Sequence, residues 1–259
     1  MRALSAPELL SVWEQGLTRS PIERALLLLA AACCGDDETP HDALVVAHLS
    51  VGERDARLLT LREWTFGPQL TSLAHCPSCG ERLESSLAIA DLRVEIEGDQ
   101  TPAETLWLEI NGYELHFRLP NSLDLLAVAS SSSQAQAAAE DLDATRALLL
   151  ARCLLSARYA DDPRTVEQLP AEIVGAMIEK MSLADPQSDL RLAYCCPQCG
   201  AQWQAAFDIG AFFWSEIEAW AERLLREVHV LASRYGWREW DILCMTPQRR
   251  QFYLHLIGG

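Results

Sequence analysis

Cys76-Pro77-Ser78-Cys79-Gly80 and Cys196-Pro197-Gln198-Cys199-Gly200 are two copies of one pattern, 196 − 76 = 120 residues apart. Each copy puts two sulfurs on one side of a tight turn, and the glycine lets backbone amides approach the second sulfur. Together they supply Cys76, Cys79, Cys196 and Cys199, the ligand count of a closed, tetrahedral structural zinc site. The long spacer is no obstacle, because loop-closure entropy grows only logarithmically with length. The alternatives are two half-sites completed by His75 or Cys195, a redox dithiol, or knuckles without a metal. A catalytic zinc keeps an open position with a carboxylate base nearby. Four thiolates leave no opening, and His-Glu-x-x-His and His-x-Glu patterns are absent from the chain.

Outward from the knuckles the repeat continues. Leu83, Ser85, Leu87 and Ile89 alternate after the first, and Trp203, Ala205, Phe207 and Ile209 after the second. This is the period of a strand with one buried face, followed in both copies by a helix start. Asn111-Gly112 sits between Leu106–Ile110 and Tyr113–Leu119, the strongest short-range hairpin signal because both turn residues take positive φ. Helices are expected over Leu142–Tyr159 and Val166–Leu183, with Ser130–Ala139 a loose linker or frayed helix and Asp185-Pro186 a stop.

The first third reads as helix: Ala6–Leu17, an all-round apolar helix opened by Ser20-Pro21-Ile22-Glu23, and Gly52–Trp64 ended by Gly67-Pro68. Serine cap, proline at the first position and glutamate three residues on form a capping box. Gly35 and the polar stretch Asp36–Asp42 end the second helix, and Leu44–Leu49 is a short apolar helix or strand. In the last fifty residues Ile217, Trp220, Leu224, Val228, Leu231 and Tyr235 form one stripe, Gly236 ends it, and Thr246-Pro247 opens a final helix.

The expected fold is α+β and mainly α-helical. A small antiparallel zinc-ribbon-like unit is built by the knuckles, with a helical insertion between them and a C-terminal helical bundle. The corresponding segments are 1–70, 71–119, 120–189, 190–210 and 211–259, with the metal welding the first and last thirds together.

Lys plus Arg is 21 and Asp plus Glu 37, so 21 − 37 gives −16 over 259 residues. Such a charge repels nucleic acid and anionic lipid except at a local basic patch. The start has no signal-peptide pattern, and the longest apolar run, Ala25–Cys34, is half of what a membrane span needs. A cytoplasmic location follows as the expectation, where paired cysteines favour metal over disulfide. Cys33, Cys34, Cys153 and Cys244 read as small buried hydrophobes, and His229 as a boundary or core residue. The sequence has no nucleophile elbow, phosphate loop or dinucleotide fingerprint, so neither an enzyme nor a small-molecule substrate is expected. A helix-turn-helix-like segment over Leu224–Leu256 could offer Arg238, Arg249 and Arg250 to nucleic acid. Six Arg against six acids in residues 210–259 disfavour that reading. Trp237, Trp240, Phe252 and Tyr253 look instead like packing or partner surface.

From about residue 50 to the end the chain resembles the baseplate hub assembly chaperones of T4-type contractile phage tails and related injection particles. The resemblance is carried by Gly52-Glu53-Arg54-Asp55, the first knuckle, Phe117-Arg118-Leu119-Pro120-Asn121-Ser122 with Asp124, and Asp185-Pro186. The second knuckle, Phe213-Trp214, His229, Leu231-Ala232, Tyr235-Gly236-Trp237, Asp241-Ile242-Leu243 and Arg249-Arg250 complete it. Residues 1–49 match nothing of that kind. The resemblance implies a non-enzymatic helper or minor component whose partners are baseplate or hub proteins, in the host cytoplasm or on the particle. Phe213, Trp214, Trp237, Trp240, Arg249 and Arg250 are the expected partner-facing residues, with Phe212 and Trp220 as further aromatic candidates. The competing reading is a zinc-ribbon nucleic-acid binder or transcriptional regulator.

Overall fold

The computed structural model describes residues 1–33, 43–94, 105–134 and 142–258. In chain order its elements are α1 (Ala6–Gly16), α2 (Pro21–Ala32), α3 (Ala43–Ala47), α4 (Val51–Phe66), β1 (Gln69–His75) and β2 (Arg82–Ala88). There follow β3 (Leu106–Ile110), β4 (Tyr113–Phe117), α5 (Ser122–Gln134), α6 (Leu142–Cys153), β5 (Leu154–Tyr159), β6 (Asp162–Pro163) and α7 (Ala171–Ala184). The chain closes with β7 (Arg191–Cys195), β8 (Gln202–Ala206), α8 (Ile209–Tyr235), α9 (Glu239–Leu243) and α10 (Pro247–Gly258). The fold is α+β and mainly helical with small antiparallel sheets, as the sequence indicated. It forms two compact units, one of Met1–Ala43 with Asp208–Gly259, the other of Leu44–Phe207.

The first unit is helix on helix. At the start of α2, Ser20 Oγ accepts from the Glu23 N–H at 3.4 Å, and the Glu23 carboxylate accepts from the Ser20 N–H at 2.9 Å. The expected capping box is therefore formed. Leu28, Leu29 and Ala32 of α2 are fully buried, as are Phe213, Ile217, Ala221 and Leu231 of α8. Gly16 lets α1 approach α8: a Cβ there would lie 2.1 Å from the Trp214 ring. Gly236, at φ +67, ends α8. Trp237 then folds back to stack on Tyr235 with centroids 4.4 Å apart.

The second unit holds a four-stranded antiparallel sheet in the order β3-β4-β5-β6 and two separate hairpins, β1-β2 and β7-β8. Asn111 and Gly112, at φ +51 and +79, make the turn between β3 and β4. Leu115, Phe117 and Ala157 of the sheet pack with Leu150 of α6 and Ile173, Met177 and Met181 of α7 in one apolar core.

Several expectations are corrected here. The helix expected over Leu142–Tyr159 ends at Cys153, and its last part is β5, with Ala157 opposite Leu115 and Arg158 opposite Glu114. The cause is tertiary: a partnerless β4 edge would leave its N–H and C=O groups unsatisfied beside the core. The helix expected from Val166 opens only at Ala171, after a short 3-10 turn at Val166–Gln168. Pro170 explains the break, since the residue before a proline is pushed out of helical geometry. Residues 120–189 do not pack separately, because the β3-β4 hairpin shares their core. The frayed segment expected over Ser130–Ala139 continues α5 as far as Gln134. Its remainder, like Cys34, Gly35, Asp36–Asp42 and His41, lies outside the described residues.

Candidate metal centre

Each knuckle is the tip of a hairpin. At the first, the Cys76 N–H donates to the Glu81 carbonyl at 2.8 Å and the Gly80 N–H to the Cys76 carbonyl at 2.9 Å. At the second, Cys196 donates to Ala201 at 2.8 Å and Gly200 to Cys196 at 2.9 Å. Gly80 and Gly200 sit at φ +75 and +72, in left-handed space where only glycine rests without strain. One local pattern has folded twice into one shape.

The two tips meet. The four Sγ atoms of Cys76, Cys79, Cys196 and Cys199 lie within 4.8 Å of one another, with Cys76–Cys199 and Cys79–Cys196 both at 3.6 Å. None of the four is in a disulfide. In a tetrahedral zinc–thiolate centre with bonds of about 2.3 Å, sulfurs stand roughly 3.8 Å apart, so the donor set fits such an ion. Cys76 and Cys196 are buried while Cys79 and Cys199 face solvent. Leu83 and Trp203 pack beside the buried pair.

The thiols cannot all ionise in this space unaided. Burial pushes Cys76 up, but the N–H groups of Cys79 and Ser78 outweigh it and bring the thiol down to about 6. The Glu81 N–H lowers Cys79, yet partial desolvation and the neighbouring sulfurs push it up to about 12. Cys199 is raised as well: the Ala201 N–H and Cys79 lower it, and desolvation with Cys76 and Cys196 outweighs them. A divalent cation would offset the mutual repulsion and make four thiolates compatible. His75 and Cys195 are exposed strand residues outside the four-sulfur group.

The metal group lies wholly inside the Leu44–Phe207 unit. It therefore links the 69–88 and 191–206 hairpins, whereas α1 and α2 meet the C-terminal α8 by helix packing. The two hairpins come from the first and last thirds of the sequence, so the four sulfurs bring those thirds together as expected, while the terminal helices meet without them.

The residues expected to face partners divide. Phe213 and Trp214 are 0% and 4% exposed, core side chains under α1 and α2, and Arg24 lies over the Trp214 ring at 4.6 Å. Arg250 is 4% exposed, donating to Glu227 at 3.1 Å and to the Met245 carbonyl at 2.7 Å. It is committed internally and corrected from a contact residue to a structural one. Trp237 is half-buried, whereas Trp240 is 64% exposed and Arg249 is exposed beside Tyr253. Cys244 and His229 are exposed rather than buried, and Cys33 is half-buried.

Spacing arguments missed a set of buried polar links. Asp124, wholly buried, receives both Arg118 Nη atoms at 2.6 and 2.9 Å, Arg152 Nε at 2.9 Å and the Asn121 N–H at 3.1 Å. Burial pushes its carboxyl up, but those donors outweigh it and hold it below the usual carboxylate range. Asp185 accepts from the Gly52 N–H at 2.9 Å, and a Cβ on Gly52 would lie 1.8 Å from its Oδ1. Burial dominates there and raises the Asp185 carboxyl against the pull of Gly52, Ser50 and Arg54. Gln187 bonds the Leu92 carbonyl and the Val94 N–H at 3.1 and 2.9 Å, and Ser72 pairs with the Tyr194 hydroxyl at 3.0 Å. For Gly52, Arg118, Asn121, Asp124 and Asp185 the only signal was the resemblance, whose fragments at 52–55, 117–122 with Asp124, and 185–186 hold them; Arg152, Gln187, Ser72 and Tyr194 had no such signal.

Fold and cluster thus define a mainly helical protein with two cysteine-tipped hairpins and a possible metal site. Among the described residues no helix is long and apolar enough to cross a membrane. The family model for T4 bacteriophage base plate protein matches residues 8–214, and the chain belongs to that family. The match begins well before residue 50, correcting the expectation that residues 1–49 lie outside the likeness. No curated protein and no solved structure matches the chain.

Proposed function

We propose that the chain is a non-enzymatic assembly factor or minor structural component of the baseplate hub of a contractile tail or injection particle. The observation that carries this is the family match over residues 8–214. It acts through protein contacts, in the cytoplasm during assembly or on the particle afterwards. Cys76, Cys79, Cys196 and Cys199 hold one structural zinc, a reading supported by a closed set of four thiolates at tetrahedral spacing. The zinc supplies a cross-link between hairpins, and the chain's own residues set its geometry through the paired turns. Trp240 and Arg249 are the contact residues carried forward from the sequence, being exposed aromatic and cationic groups of the kind that anchor interfaces.

Co-expression with the baseplate and hub proteins encoded in the same genome, followed by affinity purification, tests the role. A stable complex with at least one of them is expected, weakened by Trp240→Ala with Arg249→Ala at unchanged melting temperature. Absence of any complex with those proteins overturns the assembly reading.

A further inference from the structure

The outer face of the β3-β4 hairpin is composed unlike the rest of the sheet. Leu106, Leu108, Ile110, Tyr113, Leu115 and Phe117 point to the core, so alternation turns Trp107, Glu109, Glu114 and His116 the other way. Trp107 is 62% exposed, yet it is held: its ring lies flat on His116, with centroids 4.0 Å apart and planes 9° from parallel. One face of the indole is thus supported and the other meets solvent.

In the next row Glu109 stands directly opposite Glu114. Like charges in that position destabilise a strand pair. Arg158 is across from Glu114 on β5, but among the described residues neither glutamate has an ion-pair partner within 4.0 Å. Lys180, the only lysine of the chain, donates to the Trp107 carbonyl at the sheet edge.

We infer that this face docks an arginine- or lysine-bearing segment of a protein partner, one cation on the open side of Trp107 and the next between Glu109 and Glu114. The geometry suits it. Two strand residues span about 7 Å, within reach of neighbouring side chains on an extended segment. A cation over an indole is attracted by the ring's negative face, and a second cation relieves the Glu109–Glu114 repulsion. Charge selects the class of partner, because a polyanion would be repelled both here and by the overall −16. The inference deepens the protein-contact reading of the chain, but its test needs no tail protein, so the two fail separately.

The probe is the pentapeptide Gly-Arg-Gly-Arg-Gly, titrated at low salt into the full-length 15N-labelled protein. The citrulline analogue, of the same shape but uncharged, serves as control. The indole signal of Trp107 is assigned by its loss in Trp107→Phe. Expected are a saturable shift of that signal with the arginine peptide alone and affinity at least about threefold weaker in Glu109→Gln/Glu114→Gln. An equal change of charge elsewhere, Glu218→Gln/Glu239→Gln, leaves the affinity within error. An unmoved indole signal, equal binding of the citrulline peptide, or equal weakening by the two double variants overturns the inference. All substituted side chains are exposed, and matching melting temperatures show that the variants fold.

Discussion

In the unit of Met1–Ala43 and Asp208–Gly259, three helices bury broad apolar faces, and the loss of one methylene is shared among many neighbours. The unit of Leu44–Phe207 also buries apolar side chains of the sheet, α6, α7 and α4, but adds links at points: four sulfurs, the carboxylates of Asp124 and Asp185, Gln187, and the Ser72–Tyr194 pair. Surface-like adhesion degrades gradually, whereas a point link is present or absent. The first unit should accordingly tolerate most conservative core changes, and the second should respond sharply to single groups.

The largest contrast is expected from the metal. Elemental analysis should return one zinc per chain, and none in Cys76→Ser/Cys196→Ser. Stripping it should cost several kcal/mol, given roughly 10–16 kcal/mol for structural zinc in small domains. Hydrogen exchange should rise in β1-β2 and β7-β8 while α2 and the middle of α8 stay protected. Equal deprotection of both units would erase the proposed difference.

Next come the two close-approach glycines, one in each unit. Gly52→Ala forces a methyl onto Asp185 and should cost about 3 kcal/mol in chemical denaturation. Gly16→Ala meets the Trp214 ring, a face on which helices can slide, and should cost roughly 2 kcal/mol. A reversed order would show that packing, not the point link, is the less forgiving arrangement.

Asp124→Asn leaves Arg118 and Arg152, which keep some solvent, without their anion, and should cost roughly 2–3 kcal/mol. Its sign with pH is fixed. A carboxyl held low stabilises the fold above the ordinary carboxylate value of about 4, and that stability is lost as pH falls through its lowered value. The raised Asp185 works oppositely, its protonated form being favoured in the folded chain as pH falls. Melting temperature followed against pH should therefore decline less on the acid side in Asp124→Asn than in the parent. The smallest effect, about 1 kcal/mol, belongs to Tyr194→Phe, which removes one buried hydroxyl pair.

What could be read from residues alone follows the same division. Signals complete within a few positions were legible: the Cys-Pro-x-Cys-Gly turns, the Ser20–Glu23 box, the Asn111-Gly112 turn and the glycine stop at 236. Each is a short-range geometric requirement that only a few residue types meet. Strand β5 was not legible, because Leu154–Tyr159 continues the apolar pattern of α6 and becomes a strand only beside β4. The Gly52–Asp185 link spans 133 positions and the Arg152–Asp124 pair 28, so no periodicity announces them. The all-round apolar α2 announced burial but not its neighbour: the long α8 stripe it packs against begins at Ile209. The exposed aromatics shared this blindness, since Phe213 and Trp240 read alike and only packing separates core from surface.

The distance between the clips also sets a timetable for the nascent chain. A ribosome adding 5–20 residues per second takes about 6–24 s to make the 120 residues from Cys76 to Cys196. Over that interval the first turn has emerged with two donors and no counterpart, open to mismetallation or oxidation. Thiol-reducing conditions during synthesis would keep that first pair of sulfurs intact until its counterpart is made, before any finished molecule exists to be tested.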